Sequence, residues 1–211
     1  MGKKKKKTAK ASEDSSKSPA SLYTIETYNG GDQLDAIISL MSRTLTEPYN
    51  IFTFRYFSDL QERHTLIAFS NAEPEETRPE HAIYAHTKSG NLRRVLGAIV
   101  DRVNLSETTH QLRGYIAMLG VDPDSRRMGI GRALTLAGIE VMKNDKCVEV
   151  YLETDTGNET SVKFYSRLGF FRDRLMYNYY MFSGDAYRLT LPLVDDKSGI
   201  YPKGGDSDEE D

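Results

Sequence analysis

Apolar and polar positions alternate along this chain in a way that predicts short strands interleaved with amphipathic helices. Leu22-Tyr23-Thr24-Ile25-Glu26-Thr27-Tyr28 reads as a strand ended by Asn29-Gly30-Gly31. Leu34, Ile37, Ile38 and Met41 then recur at helical spacing, with Asp32 placed to cap that helix and Glu47-Pro48 to break it. An aromatic-rich stretch follows (Tyr49, Phe52, Phe54, Tyr56, Phe57), and Thr65 to Phe69 reads as a second short strand. Residues 71–91 are rich in Glu, Pro, Thr and His without a clear period, which predicts a long loop or insertion. Val95 to Val103 and Leu112 to Val121 read as an antiparallel strand pair, stopped by Asp122-Pro123-Asp124. Ile130, Leu134, Ala137 and Val141 place a helix from Gly129 to Asn144. A strand over Cys147 to Leu152, a helix over Asn158 to Leu168, strand character from Phe170 and a last strand over Ala186 to Leu193 complete the order. This succession predicts one mixed α+β domain over residues 21–194.

Composition narrows the picture. Of 211 residues, 38% are hydrophobic and 28% charged, enough for one substantial core. No apolar run reaches the roughly 18 residues of a membrane helix, and Lys3 to Lys7 follow Met1-Gly2 with no apolar segment behind them, so neither a span nor a secretory signal is expected. The single cysteine, Cys147, excludes an intrachain disulfide framework and a Cys-cluster zinc site, and suits a reducing, cytoplasmic setting. The net charge of −3 hides a gradient: residues 1–20 carry seven lysines against Glu13 and Asp14, while residues 195–211 carry seven carboxylates against Lys197 and Lys203. Both ends are too poor in apolar residues to offset the entropy of ordering, and are expected to be disordered tails, one basic and one acidic. His64, His81, His86 and His110 show no ligand spacing, so no metal is expected. Cys147, at the start of an apolar strand, reads as packing.

The informative stretch runs from Gly114 to Leu134: an apolar strand, a basic turn, and a helix start holding Gly129 and Gly131. The free N–H groups and positive dipole end of a helix's first turn favour anions. The two glycines let a diphosphate approach the backbone, and Arg126, Arg127 and Arg132 add charge. A Walker loop needs Lys and Ser or Thr where Arg132-Ala133 stands, and a dinucleotide fingerprint needs a third Gly where Leu134 stands. Both are excluded.

The Arg126-x-x-Gly129-x-Gly131 turn matches the acetyl-coenzyme A signature, so the chain resembles the GNAT acetyltransferase superfamily. The resemblance implies the GNAT fold: a mixed central sheet with splayed strands, flanked by helices. Thr46-Glu47-Pro48-Tyr49, Arg113 to Leu119, Leu152-Glu153-Thr154, Leu168-Gly169-Phe170 and Tyr179-Tyr180 are similar, in order, to the catalytic subunits of NatC-type N-terminal acetyltransferases, with residues 71–91 as a variable insertion.

That resemblance implies acetyl-CoA as co-substrate, held by Met118, Leu119 and Val121 of the splayed strand, by Arg126, Arg127, Gly129, Gly131 and Arg132 of the turn, and by Asn158, which is equally placed to cap the next helix. It implies Glu153 as general base and Tyr165 as the donor that protonates the leaving thiolate. Glu47, Tyr49, Tyr179 and Tyr180 would receive the acceptor, a nascent peptide beginning with Met and a bulky apolar residue. It also implies a large helical and a small Sm-like auxiliary subunit, for which residues 49–57 are an interface or else core. Ribosomal contact would fall to the Lys-rich tail. Two other functions fit parts of the sequence: acetylation of lysine side chains or small amines, and non-catalytic binding of acyl-CoA. A nucleic-acid binder working through the basic tail is a further alternative.

Overall fold

The structure is a computed structural model that describes residues 22–45, 53–54, 62–74, 79–180 and 184–194. Both tails therefore lie outside the described residues, as do Glu47 and Tyr49 of the acceptor motif.

Strand β1 (Tyr23–Thr27) leads into helix α1 (Asp32–Thr44), followed by β2 (Thr65–Ser70), β3 (Tyr84–His86), β4 (Leu92–Leu105) and β5 (Leu112–Val121). Helix α2 (Ile130–Asn144), β6 (Glu149–Asp155), α3 (Glu159–Ser166), β7 (Phe171–Tyr180) and β8 (Gly184–Pro192) complete the chain. The strands form one sheet in the order β1-β2-β4-β5-β6-β8-β7, with β3 pairing onto β4. All pairs are antiparallel except β5–β6, which are parallel because α2 crosses between them.

Each face of the sheet buries one core. On one, Ala36, Ile37, Leu40 and Met41 of α1 pack on Ile67, Phe69, Val100 and Met118. On the other, Ile130, Leu134, Ile139 and Met142 of α2 and Tyr165 of α3 pack on Ile99, Ile116, Val150, Leu152 and Leu189. Phe54, from the aromatic-rich stretch, is fully buried in the α1-side core.

Two expectations change. The cap of α1 is Gly31, not Asp32, because Gly30 (φ +80°) and Gly31 (φ +63°) supply the left-handed turn that ends β1. The Asp32 carboxylate instead holds His86, Oδ2 lying 2.7 Å from Nδ1 and 3.2 Å from the backbone N. Residues 71–91 are not wholly loop, since β3 lies within them, closed onto β4 by a turn in which Gly90 (φ +82°) donates to Thr87 O at 2.9 Å. Three residues with one inward side chain, Ala85, carry no visible period.

Candidate active site

The site begins where two parallel strands part. β5 and β6 pair only at Arg113–Glu149, Gly114–Val150 and Tyr115–Tyr151, although β5 continues to Val121 and β6 to Asp155. A bulge accompanies the parting: Val100 faces Met118 and Asp101 faces Ile116, leaving Ala117 as an extra residue in β5. Without it Ile116 and Met118 would share a face, but Ile116 lies in the α2-side core and Met118 in the α1-side core. Beyond Tyr115 the β5 backbone thus borders an opening and not a β6 ladder. A cleft of about 670 Å³ fills it.

The wall of that cleft gathers most of the expected residues. Met118, Leu119 and Val121 come from β5, Arg126, Arg127, Gly129 and Gly131 from the turn, Glu153 from β6, Asn158 and Tyr165 from α3, and Tyr180 from the end of β7. Arg132 is on the exposed first turn of α2 and is not part of the wall. Tyr179 also stands outside it, 40% exposed, its ring 4.9 Å from that of Tyr180 and nearly perpendicular.

The turn has the features an anion needs. Gly129 precedes α2 at φ +79°, a left-handed geometry costly for any side chain, and among the described residues no side chain caps the helix, which leaves its first N–H groups available to a ligand. At Gly131 a Cβ would meet Val121 at 3.5 Å and Phe164 at 3.7 Å, narrowing the passage between β5 and α3. Arg126 and Arg127 are exposed at the rim, and Arg126 Nε donates to Val121 O at 3.4 Å. An apolar slot lined by backbone and ended by a basic helix N-terminus suits a pantetheine arm with a diphosphate at its far end.

Glu153 and Tyr165 approach the opening from opposite faces. Val150 and Leu152 point into the α2-side core, so by alternation Glu153 points to the α1 side. Tyr165 belongs to the α2-side core, edge-on to Phe164 and Phe170. Burial, and next to it the charge of Asp101, pushes the Tyr165 hydroxyl above its ordinary value, so at neutral pH it is a protonated donor.

Glu153 is held by a partner the sequence did not reveal. Arg188, opposite it on β8, donates from Nε at 3.0 Å and Nη2 at 2.8 Å, both to Oε1, leaving Oε2 outside the pair. The Arg188 guanidinium lies over the Tyr151 ring at 4.9 Å, and Arg113 lies over the same ring at 4.5 Å. This stack fixes the carboxylate's direction. Asn158 does cap α3, its Oδ1 accepting from Ser161 N at 3.0 Å, while the residue also lines the cleft.

Sequence reasoning also missed Thr44 and Leu45, which line the cleft from the end of α1. Gly120 brings them there, for a Cβ on it would lie 2.6 Å from Thr44 Oγ1 and 2.9 Å from Met41 Sδ. Nothing short of the close approach of α1 to β5 signals this.

A profile of the Acetyltransferase (GNAT) family matches residues 34–170. The chain belongs to the GNAT acetyltransferase family. It is 34% identical over 183 residues to N-alpha-acetyltransferase 30 of Dictyostelium discoideum, covering 85% of each chain. It is 34% identical over 170 residues to N-alpha-acetyltransferase 30 of Schizosaccharomyces pombe, covering 81% of this chain and 98% of that one. Among solved structures it resembles a chain of the NatC complex bound to Gag peptide and CoA, with a TM-score of 0.69, 30% identity, and coverage of 82% of this chain and 99% of that one. The GNAT fold expected from the sequence is thus the fold observed.

Among the described residues no group of three or more His, Cys, Asp or Glu side chains could hold a metal ion. His64, His81 and His86 instead each meet one carboxylate, of Asp145, Asp124 and Asp32 respectively. The Cys147 thiol is buried and pushed up to about 11, chiefly by that burial and then by Asp145, which suits packing and not attack.

Proposed function

We propose that this chain is the catalytic subunit of a NatC-type enzyme, transferring acetyl from acetyl-CoA to the α-amine of peptides that begin with Met and a bulky apolar residue. The observation that carries this reading is the placement of Glu153 and Tyr165 on opposite faces of one opening. An acceptor entering from the α1 side meets the carboxylate, and a carrier seated along β5 and α2 meets the phenol.

The carrier supplies an acetyl group activated as a thioester. The residues around it do the rest. The turn from Arg126 to Gly131 binds the diphosphate through backbone N–H groups and two guanidiniums. Met118, Leu119 and Val121 direct the arm inward, and β5 N–H groups beyond Tyr115 can stabilise negative charge on the thioester oxygen. Glu153 accepts the proton of the attacking amine, directly or through water, through the oxygen that Arg188 leaves open. Tyr165 donates to the departing sulfur. Such a site suits an α-amine, which at a pKa of about 7.7–8.0 is partly neutral near pH 7, better than a lysine amine near 10.4.

Tyr180 at the cleft and Tyr179 beside it, together with Glu47 and Tyr49, would bind the peptide's first residues. An apolar recess for the second side chain would contribute roughly 1.5–3 kcal/mol of discrimination. The similar NatC chain was solved within a complex, which supports auxiliary subunits here; the resemblance read from the sequence makes them one large and helical and one Sm-like. No helix among the described residues is long and apolar enough to cross a membrane. We place the enzyme in the cytoplasm, its Lys-rich tail against the ribosome.

Acetylation of Met-Leu, Met-Phe, Met-Glu and Ala-Leu peptides, each with its α-amine free or blocked and with one internal lysine, tests the reading. Activity confined to free Met-Leu and Met-Phe is expected. Equal activity on blocked peptides would point to the lysine side chain and refute it.

A further inference from the structure

The diphosphate turn begins with two carboxylates that a diphosphate should avoid. Asp122 directly follows β5, and Asp124 lies two residues on, ahead of Arg126. Neither lines the cleft, and the Asp122 side chain is only 2% exposed. A buried anion here needs compensation, and two guanidiniums from elsewhere provide it, while a histidine meets the second carboxylate. Arg94 of β4 places Nη2 2.7 Å from Asp122 Oδ2 and 3.5 Å from Asp124 Oδ2. Arg43, in the last turn of α1, reaches Asp122 Oδ1 at 3.9 Å and donates to the His81 carbonyl at 2.6 Å. His81 in turn meets Asp124 Oδ2 through Nε2 at 2.8 Å.

Residues 79–86, part of the stretch whose role the sequence left open, thereby join the carrier turn. Tyr84 of β3 pairs with Arg94 itself, and His81 holds Asp124. The backbone passes the constraint on: Asp122 N donates to Leu96 O at 2.9 Å, and Asp122 O accepts from Ser125 N at 2.8 Å, with Ser125 on the cleft wall.

We propose that residues 79–86, with Arg94 and Arg43, form a brace behind the carrier turn that neutralises Asp122 and Asp124 and so sets the affinity for a diphosphate-bearing acyl carrier. Arg94 is its main positioning residue. The proposal rests on the functional reading above for the identity of the carrier. Removing the Arg94 charge leaves Asp122 with only the more distant Arg43, beside a site that must accept a doubly charged group.

Calorimetric titration of CoA into the full chain tests this, together with the ratio of KM values for acetyl-CoA and S-acetylpantetheine, which lacks the diphosphate. Arg94→Gln should weaken CoA binding about tenfold and raise that ratio similarly, the effect of one charge on a nearby dianion. Arg94→Lys should restore most of the affinity, and Asp122→Asn added to Arg94→Gln should recover much of it by removing the charge that Arg94 offset. An unchanged CoA affinity in Arg94→Gln, or equal losses with both donors, overturns the brace. Should Arg94→Gln fail to fold, His81→Ala carries the test, with about a threefold loss expected and no loss counting against it. A wild-type chain that binds no CoA would instead refute the functional reading.

Discussion

Asp101 offers a test of the core on which the site is built. It lies on β4 opposite Ile116, next to the bulge that opens the cleft, and is completely buried. Among the described residues neither carboxylate oxygen has a hydrogen-bond partner, and Oδ2 lies so close to Gly138 of α2 that a Cβ there would clash with it. Burial pushes this carboxyl well above the ordinary carboxylate range. The sign of the consequence follows from linkage. Above about pH 4 the unfolded chain releases this proton. The folded chain keeps it until its own raised pKa. In that window the folded state binds more protons, so stability falls as pH rises, by up to about 1.4 kcal/mol per pH unit from this group. Asp101→Val removes the titration and fits a strand beside Ile99 and Ile116. Relative to wild type it should gain stability, and that gain should grow from pH 5 to pH 8 by up to about 4 kcal/mol, the limiting slope taken over three pH units. At about 2–4 °C per kcal/mol, the pH 8 gain should be plain in a thermal scan as well as in urea unfolding. Gly138→Ala, which clashes with the wild-type carboxylate, should be tolerated when combined with Asp101→Val. A difference between variant and wild type that does not change with pH would refute this reasoning.

Three further outcomes follow from the site. Glu153→Gln should lower kcat by about 10²–10³-fold while calorimetry shows CoA affinity unchanged, because the carboxylate faces the acceptor side. Asn158→Ala should cost about 1 kcal/mol in urea unfolding, since Ser161 N loses its acceptor. Gly120→Ala, whose Cβ would press on Thr44 and Met41, should cost about 1–3 kcal/mol and raise KM for the peptide more than KM for acetyl-CoA, as the end of α1 shifts.

What the sequence disclosed were local signals. Gly129 and Gly131 opening an apolar-periodic helix after a strand pointed to the turn that borders the cleft, because turn geometry, charge and helix start all lie within ten residues. The alternation of Leu112 to Val121 and the spacing of Ile130, Leu134 and Val141 reproduced β5 and α2 to within a residue at each end. What it withheld depends on register. Arg188 orients Glu153 across 35 residues of sequence, visible only once β6 and β8 are paired. The bulge at Ala117 is set by where β4 pairs, and nothing in Ala-Met marks it. His81 and Arg94 meet Asp124 and Asp122 only because β3 folds back onto β4.

On the proposed reading, catalysis requires carrier and acceptor to meet in the gap between β5 and β6. A conjugate joining CoA, through an acetyl link, to the α-nitrogen of a Met-Leu peptide spans that gap. Its affinity for the complete chain, measured by calorimetry beside CoA alone, tests the meeting directly. Binding at least about 100-fold tighter than CoA is expected, since the second half docks without a second loss of translational freedom. A conjugate that binds no better than CoA would contradict that meeting.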